Sequence, residues 1–395
     1  MQKKLTIAMM TNNYLPFIGG VPISIQRLSD SLRRKGHTVY IFAPVPVGGI
    51  GEQRDPNVIS IKLLMLYRDR NLKFGLVNAF SPKIEREFKA RDFDIIHVHH
   101  PFWMGGKGLR LGKKYGVPVV LTFHTRFDNY GHYIPFLRGF FKNVISHRMI
   151  RGFSNRCEVV FAPAKTSKEY LESIGVNVPV TVLPTGVEFE SYQEIGDKLP
   201  AEVRAKYGGE ILLCSVSRLT VEKNIMFLID GLERVRGLTD IPFKCLIIGE
   251  GPERSRVREA IDGCGLGDAV YLAGDVHPDE MPGYYMASDL FVFASKSETQ
   301  GLVLLEAMAG GCPVVAVSAT GVDDAVIDGY NGYSTSEDAA EWAERVYQLI
   351  GDREKLAEMS ANARSYAASF SADEMAARAG GVYREVVANG GGHNV

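Results

Sequence analysis

Short runs of aliphatic and β-branched residues alternate with stretches whose apolar positions recur every three to four residues, almost from one end of the chain to the other. Residues 5–11 (LTIAMMT), 37–44 (HTVYIFAP), 94–100 (DIIHVHH), 117–125 (VPVVLTFHT), 158–164 (EVVFAPA) and 180–186 (VTVLPTG) read as strands. Residues 24–35 read as a helix with Ile25, Leu28 and Leu32 on one face. A polar stretch at 187–208 breaks the rhythm, and reads as a linker. Strands then resume at 210–219, 243–251, 269–275, 289–295 and 312–318, with helices at 225–236, 252–262, 280–286, 301–310, 338–350, 353–368 and 373–388. Alternation of this kind predicts an α/β protein with parallel sheets covered by helices on both faces. Two doubly wound units follow: residues 1–190, with the final helix 373–388 packing back on them, and residues 191–372. Ligands of such sheets bind outside the carboxyl ends of the strands. Two facing units set those ends across a cleft.

Composition narrows the class. The chain has 395 residues, 46% of them hydrophobic and 23% charged, which suits two globular domains and excludes gross disorder, collagen and coiled coil. No run of 18 apolar residues exists, so no spanning helix is expected. The N-terminal apolar stretch is too short for a signal peptide and reads as a first strand. Five cysteines without a CxxC pair suit reduced thiols in the cytosol.

The net charge of −1 conceals a split. Residues 1–190 hold 27 Lys and Arg against 14 Asp and Glu, and residues 191–395 hold 18 against 32. Residues 95–157 carry ten cations and one acid, Asp128. That surface suits phosphates, of lipid headgroups or of nucleic acid. No nucleic-acid motif accompanies it, and its aromatics lie on a helical stripe rather than interleaved for base stacking. On a helix over 133–153, Phe136, Phe140, Val144 and Leu137, Phe141, Ile145 form adjacent apolar rows. Arg138, Lys142, Arg148 and Arg151 border them, the composition of a helix lying in a membrane interface. Lys107, Arg110, Lys113 and Lys114, and separately Arg68, Arg70 and Lys73, add to the basic surface.

Candidate chemistry concentrates at strand ends. In SETQGLVLLEAMAGGCPVVA (297–316), Glu298 and Glu306 lie eight apart around Gly301 and Leu302, where a helix begins. Its free N–H groups favour an anion, and the carboxylates suit neutral hydroxyls. Arg218 and Lys223, five apart after a strand, suit a diphosphate. Gly19-Gly20 lets backbone approach a phosphate, but it is neither GxGxxG nor a P-loop. Gly249 and Gly251 form a tight strand-to-helix turn that either lines a nucleotide pocket or serves as a turn alone. His124 closes a strand. His97 and His99 share a strand face while His100 points away, and three histidines so close in sequence could suggest a metal site.

The Glu-x7-Glu motif, the Arg-Lys pair, the IIGEGP turn, the mid-chain histidine and the glycine loop together resemble the retaining glycosyltransferases of family 4, which have the GT-B fold, over nearly the whole chain. Thr299-Gln300, where many members have Gly-Phe, resembles the branch that glucosylates diacylglycerol. The resemblance implies a retaining hexosyltransferase that uses a nucleotide diphosphate sugar, with UDP-glucose the first expectation, and no bound metal or cofactor. It implies His124, Arg218, Lys223 and Glu298 as catalytic residues, and Gly19, Gly20, Gly249, Gly251, Gly301, Leu302 and Glu306 as donor-binding residues. Asp128, Tyr130 and His132 become acceptor-side residues. With the basic half, a lipid acceptor and a peripheral place on an anionic membrane, at its inner face, are expected. A soluble sugar or lipid-linked glycan is the alternative acceptor, and a sugar-nucleotide-binding protein without turnover the alternative class.

Overall fold

The computed structural model describes residues 3–15, 19–44, 55–69, 72–124, 140–296 and 298–390. The chain forms two compact units, Met1–Gly186 with Ala372–Val395, and Val187–Ser371.

In the first unit the elements run β1 (Thr6–Met10), α1 (Gly20–Arg34), β2 (Thr38–Pro44), β3 (Val58–Ile61), β4 (Leu63–Asp69), β5 (Leu72–Val77), α2 (Pro82–Lys89), β6 (Ile95–Val98), α3 (Met104–Tyr115), β7 (Val119–Thr122), α4 (Phe140–Ser154), β8 (Val159–Ala162), α5 (Lys165–Ser173) and β9 (Val180–Val182). Among the described residues, seven strands form one sheet in the order β3-β2-β1-β6-β7-β8-β9, and β4 and β5 pair separately as an antiparallel hairpin. The sheet pairings are parallel. Alternate residues serve opposite cores. Ile7, Met9, Ile41, Ile95, Val120 and Phe161 pack with Ile25 and Leu32 of α1. Ala8, Met10, Ile96, Val98 and Leu121 pack with Ile84, Phe88 and Leu109 on the other face. Burial on both faces is why these strands read as continuous apolar runs.

The second unit runs α6 (Phe189–Ile195), α7 (Lys198–Tyr207), β10 (Ile211–Val216), α8 (Ile225–Leu238), β11 (Phe243–Ile248), α9 (Arg254–Gly263), β12 (Val270–Gly274), α10 (Met281–Ala287), β13 (Leu290–Phe293), α11 (Leu302–Gly310), β14 (Val314–Val317), β15 (Gly332–Thr335), α12 (Ala339–Gly351) and α13 (Arg353–Ala368). Its six strands, among the described residues, follow the order β12-β11-β10-β13-β14-β15. The last helix, α14 (Ala372–Ala388), belongs to the first unit, where Met375, Ala376, Ala379 and Tyr383 pack beside Ile25 and Leu32.

Three differences from the sequence reading have local causes. The polar stretch 187–208 is no linker but α6 and α7. Val187 and Val203 are buried in the second unit's core, and few apolar residues per turn hid both helices. β3 and β15 are short edge strands, and β4 and β5 pair outside the main sheet; the sequence reading placed none of the four. The reading of 117–125 overshoots, because β7 ends at Thr122; His124 stands two residues beyond it. Within the helix read over 133–153, the described part is α4, and the side chains of 140–145 lie outside the described residues. No described helix is long and apolar enough to cross a membrane.

Close packing between α8 and α12 gives a test of the second core. A Cβ on Gly231 would stand 2.5 Å from Trp342 Cε3, whereas one on Gly237, in the same helix, would meet nothing within 4 Å. Trp342 is fully buried, so the ring has nowhere to retreat. Gly231→Ala is expected to lower unfolding free energy by about 1–3 kcal/mol. Gly237→Ala should leave it unchanged or raise it by no more than about 1 kcal/mol. Urea unfolding of both variants checks this; equal stabilities would contradict the packing.

Candidate functional site

In both sheets the strand order reverses beside the first strand of the unit: between β1 and β6, and between β10 and β13. In open parallel sheets such a reversal marks the binding crevice at the carboxyl ends. The loops that leave these four strands carry most of the chemistry singled out from the sequence.

After β10 the chain makes a single 3₁₀ turn, Val221–Lys223, that ends on Asn224 in the left-handed region (φ 56°). This turn swings Lys223 back toward the loop after β13. Lys223 Nζ lies 2.5 Å from Glu298 Oε1, with the two side chains only 15% and 14% exposed. The loops are tied further: Lys296 N–H donates to the Glu222 carbonyl at 3.0 Å, and Lys296 pairs with Glu337, which also accepts from Asn224. Arg218 is more open, at 65% exposure, and lies 3.7 Å from Glu222. Its loop is zipped to the 249–251 turn: Leu219 N–H donates to the Glu250 carbonyl, and Glu253 N–H to the Leu219 carbonyl. A Cβ on Gly249 (φ 126°) would stand 2.1 Å from Ser217 O, and one on Gly251 2.3 Å from Leu219 O. Both glycines are therefore required by this backbone nesting, and through it they set where Arg218 begins.

Gly301 adopts φ 71° and caps α11; a Cβ there would meet Gly321 O and Leu304 Cδ1 at 3.0 Å. Gly321 in turn packs against the Thr299-Gln300 backbone. Leu302 opens α11, whose sequence LVLLEAMAG is apolar except for Glu306. That helix is buried at Leu304, Leu305, Ala307 and Met308, so Glu306 is a charge on an otherwise apolar element, half-buried. Tyr192 Oη donates to its backbone carbonyl at 2.7 Å. Burial, with the Glu306 carboxylate and Tyr192 close by, pushes the Tyr285 phenol well above its usual range. The second unit thus brings Arg218, Lys223, Glu298, Gly301, Leu302 and Glu306 to loops and a helix start that leave β10 and β13.

In the first unit, Gly19 is extended and Gly20 starts α1, and a Cβ on either would meet nothing within 4 Å. No crowding among the described residues demands glycine there. His124 Nε2 lies 2.9 Å from His99 Nδ1, with the rings stacked at 5.2 Å. His97 is held at both nitrogens, by Thr122 Oγ1 at 2.6 Å and Tyr383 Oη at 2.7 Å, and its ring lies 4.2 Å from that of His99. His100 points to the opposite side, where the Asn12 N–H donates to its Nδ1 at 3.3 Å. Burial pushes all four imidazoles down: His97 to about 3, His100 to about 4, and His99 and His124 well below 6.5, the last two aided by their neighbours. All four are neutral at pH 7. Among the described residues no cluster suits a metal ion.

The sequence reading missed His99 as a partner of His124. The signal was there: 97 to 122 and 99 to 124 are the same offset of 25 on adjacent strands, but it means nothing until β6 is known to pair with β7. Asp128, Tyr130, His132 and Arg138 lie outside the described residues, as does the side chain of Lys142. Arg148 and Arg151 are exposed on α4.

Comparison with known proteins identifies the family and the fold. The Glycosyltransferase Family 4 model matches residues 18–191, and the model named Glycosyl transferases group 1 matches residues 200–366. The chain is 32% identical over 317 residues to the alpha-monoglucosyldiacylglycerol synthase of Streptococcus pneumoniae, covering 79% of this chain and 71% of that one. It is 28% identical over 376 residues to the protein of the same name from Acholeplasma laidlawii, covering 90% and 92%. Sucrose-phosphate synthase from Thermosynechococcus elongatus superposes with a TM-score of 0.79 at 20% identity, covering 98% of this chain and all of that one. HepE of Anabaena, solved with UDP and glucose, gives 0.75 at 20%, covering 96% of this chain and 100% of its own. The chain belongs to the family 4, group 1 glycosyltransferases, and its two Rossmann-like units are the GT-B fold.

The buried imidazoles predict an acid-sensitive first unit. Unfolded histidines titrate near pH 6.5, whereas these stay neutral to much lower pH. Below about 6.5 the unfolded chain therefore binds more protons, and stability falls with pH by up to about 1.4 kcal/mol per unit for each such group. Urea unfolding between about pH 7.5 and about pH 4.5 should show that decline. His100→Asn, which keeps an acceptor for the Asn12 N–H, should flatten it; an unchanged slope would count against the buried-neutral assignment.

Proposed function

We propose that this glycosyltransferase is a retaining hexosyltransferase that moves glucose from UDP-glucose to a membrane lipid acceptor such as diacylglycerol. The observation that carries the reading is the Lys223–Glu298 pair beside Arg218 at the strand-order reversal of the second sheet. The two synthases at 32% and 28% identity support the acceptor class.

In this reading Arg218 and Lys223 hold the diphosphate, and their attraction for it grows as negative charge develops on the leaving group. Glu298 accepts from the hexose hydroxyls and Glu306 from those of the ribose. The C1–O bond to the diphosphate breaks and the acceptor oxygen bonds C1 from the same face. The acceptor proton passes to a leaving phosphate oxygen, and no covalent enzyme intermediate forms. His124, neutral, serves as a hydrogen-bond donor near the sugar and phosphate. No bound metal is needed, because two cations and the start of α11 oppose the diphosphate charge. The basic first half, with Arg148 and Arg151 exposed, supports a peripheral position on an anionic membrane at the face exposed to the sugar nucleotide.

A panel of sugar nucleotides, each with and without diacylglycerol in liposomes, tests donor and acceptor together. UDP-glucose with diacylglycerol should give glycolipid, α-linked by NMR, and excess chelator should not change its rate. Lys223→Ala and Glu298→Ala should each cost about 10²–10³-fold in kcat. Full activity in both variants would sink the site assignment, and a β-linked product would sink retention. Flotation with anionic liposomes tests the membrane position; binding should weaken with salt, and an absence of binding at low salt would remove that part of the proposal.

A further inference from the structure

His124 stands two residues past the end of β7 and has no strand pairing to fix its ring. What fixes it is a row of side chains on the sheet face under α14. Tyr383 and Thr122 grip His97 at opposite nitrogens, the His97 ring lies tilted against that of His99 at 4.2 Å, and His99 meets His124 at 2.9 Å. His97, His99 and Tyr383 are buried.

The contact between His99 Nδ1 and His124 Nε2 needs one proton, and its owner follows from the far side of the His99 ring. His99 Nε2 is buried and has no hydrogen-bond partner among the described residues. A neutral imidazole carries a single N–H. Were it on Nε2, a buried donor would be left unpaired, which folded proteins rarely tolerate. With the proton on Nδ1, His99 donates to His124 and only a lone pair is left over. His124 Nε2 is then an acceptor, and its own proton must sit on Nδ1.

We propose that His99 is a positioning residue for the transfer reaction: by donating from Nδ1 it orients His124 and locks it in the Nδ1–H tautomer, so that Nδ1–H is the one donor His124 offers a ligand. The inference rests on the reading of His124 given above. It assigns the His97 ring, and the Tyr383 hydroxyl behind it, a supporting role: they hold the His99 ring at the angle from which it donates. A free imidazole prefers the other tautomer, so the arrangement is one the surroundings must impose.

Nitrogen-15 NMR of the histidine-labelled full-length protein reads the tautomer directly. The His124 signals, identified by their loss in His124→Ala, should show Nδ1 protonated and Nε2 bare. His99→Leu removes the donor and should release His124 toward the Nε2–H form, with kcat falling about 10- to 100-fold and donor KM little changed. His99→Asn places an amide donor where Nδ1 stood and should restore the Nδ1–H signal and most of kcat. An Nε2-protonated His124 in the unaltered protein overturns the proposal. So does a His99→Leu protein with native tautomer and native kcat. If the Leu variant does not fold, the unaltered protein and His99→Asn still decide. If His124→Ala transfers sugar at full rate, the role of His124 fails, while the tautomer signals still report whether His99 sets it.

Discussion

Between β10 and β13 the chain leaves the sheet in opposite directions. α8 goes to the face of Leu228, Ile229 and Leu232, while α11 goes to the face of Leu304, Leu305 and Met308. No crossing backbone fills the carboxyl edge between two neighbouring strands whose helices part in this way. The loops there are polar, and they have to satisfy each other. Lys223 finds Glu298, Lys296 N–H finds the Glu222 carbonyl, and Glu337 joins Lys296 to Asn224. An ion pair at 15% and 14% exposure is screened far less than one in open solvent, so it fixes both loops to one another. Gly249 and Gly251 extend the same constraint to the third loop, where any side chain would push the backbone around Arg218 away.

The first sheet reverses in the same way between β1 and β6, with α1 on the face of Ile25 and Leu32 and α3 on that of Met104 and Leu109. Its answer to the open edge is different. Imidazoles gather there instead of opposed charges, and burial keeps them neutral. Neutral groups cannot hold a diphosphate by charge, but they can aim hydrogen bonds whose direction is set from beneath. α14 supplies part of that support: although it is the last element of the chain, its Tyr383 hydroxyl sits at the start of the imidazole row.

The sequence made the sheets legible because a strand buried on both faces has to be mostly apolar, as in β6, β7, β10 and β13. Arg218, Lys223 and Glu298 were legible for the complementary reason: charges that interrupt such runs stand at their ends. What stayed hidden depended on pairing. The bond of His99 to His124 exists only because β6 and β7 are neighbours in one register, which no local pattern encodes. α6 has no fully buried residue and α7 only Val203, so their segment looked like a linker when it is part of the second unit's core. The acidic net charge of residues 191–395 would by itself argue against the two cations at its strand ends, but total charge is a poor guide to potential a few ångströms from a loop.

The proposed donor would have to enter an acidic half. Acids on distant surfaces act across more than a Debye length, about 8 Å in physiological salt, and count for little at the strand ends. Lys223 is a different matter, since Glu298 already balances it. A diphosphate that took Lys223 alone would strand Glu298 as an unpaired, poorly exposed charge, which is costly. A diphosphate that arrives with a hexose avoids this, because the sugar hydroxyls can donate to Glu298 while Lys223 turns to the phosphate. With the proposed donor the pair would exchange both partners in one event, and the exchange would favour the intact sugar nucleotide over a bare diphosphate. Discrimination of that kind would follow from the ion pair itself, whichever hexose and acceptor the enzyme uses.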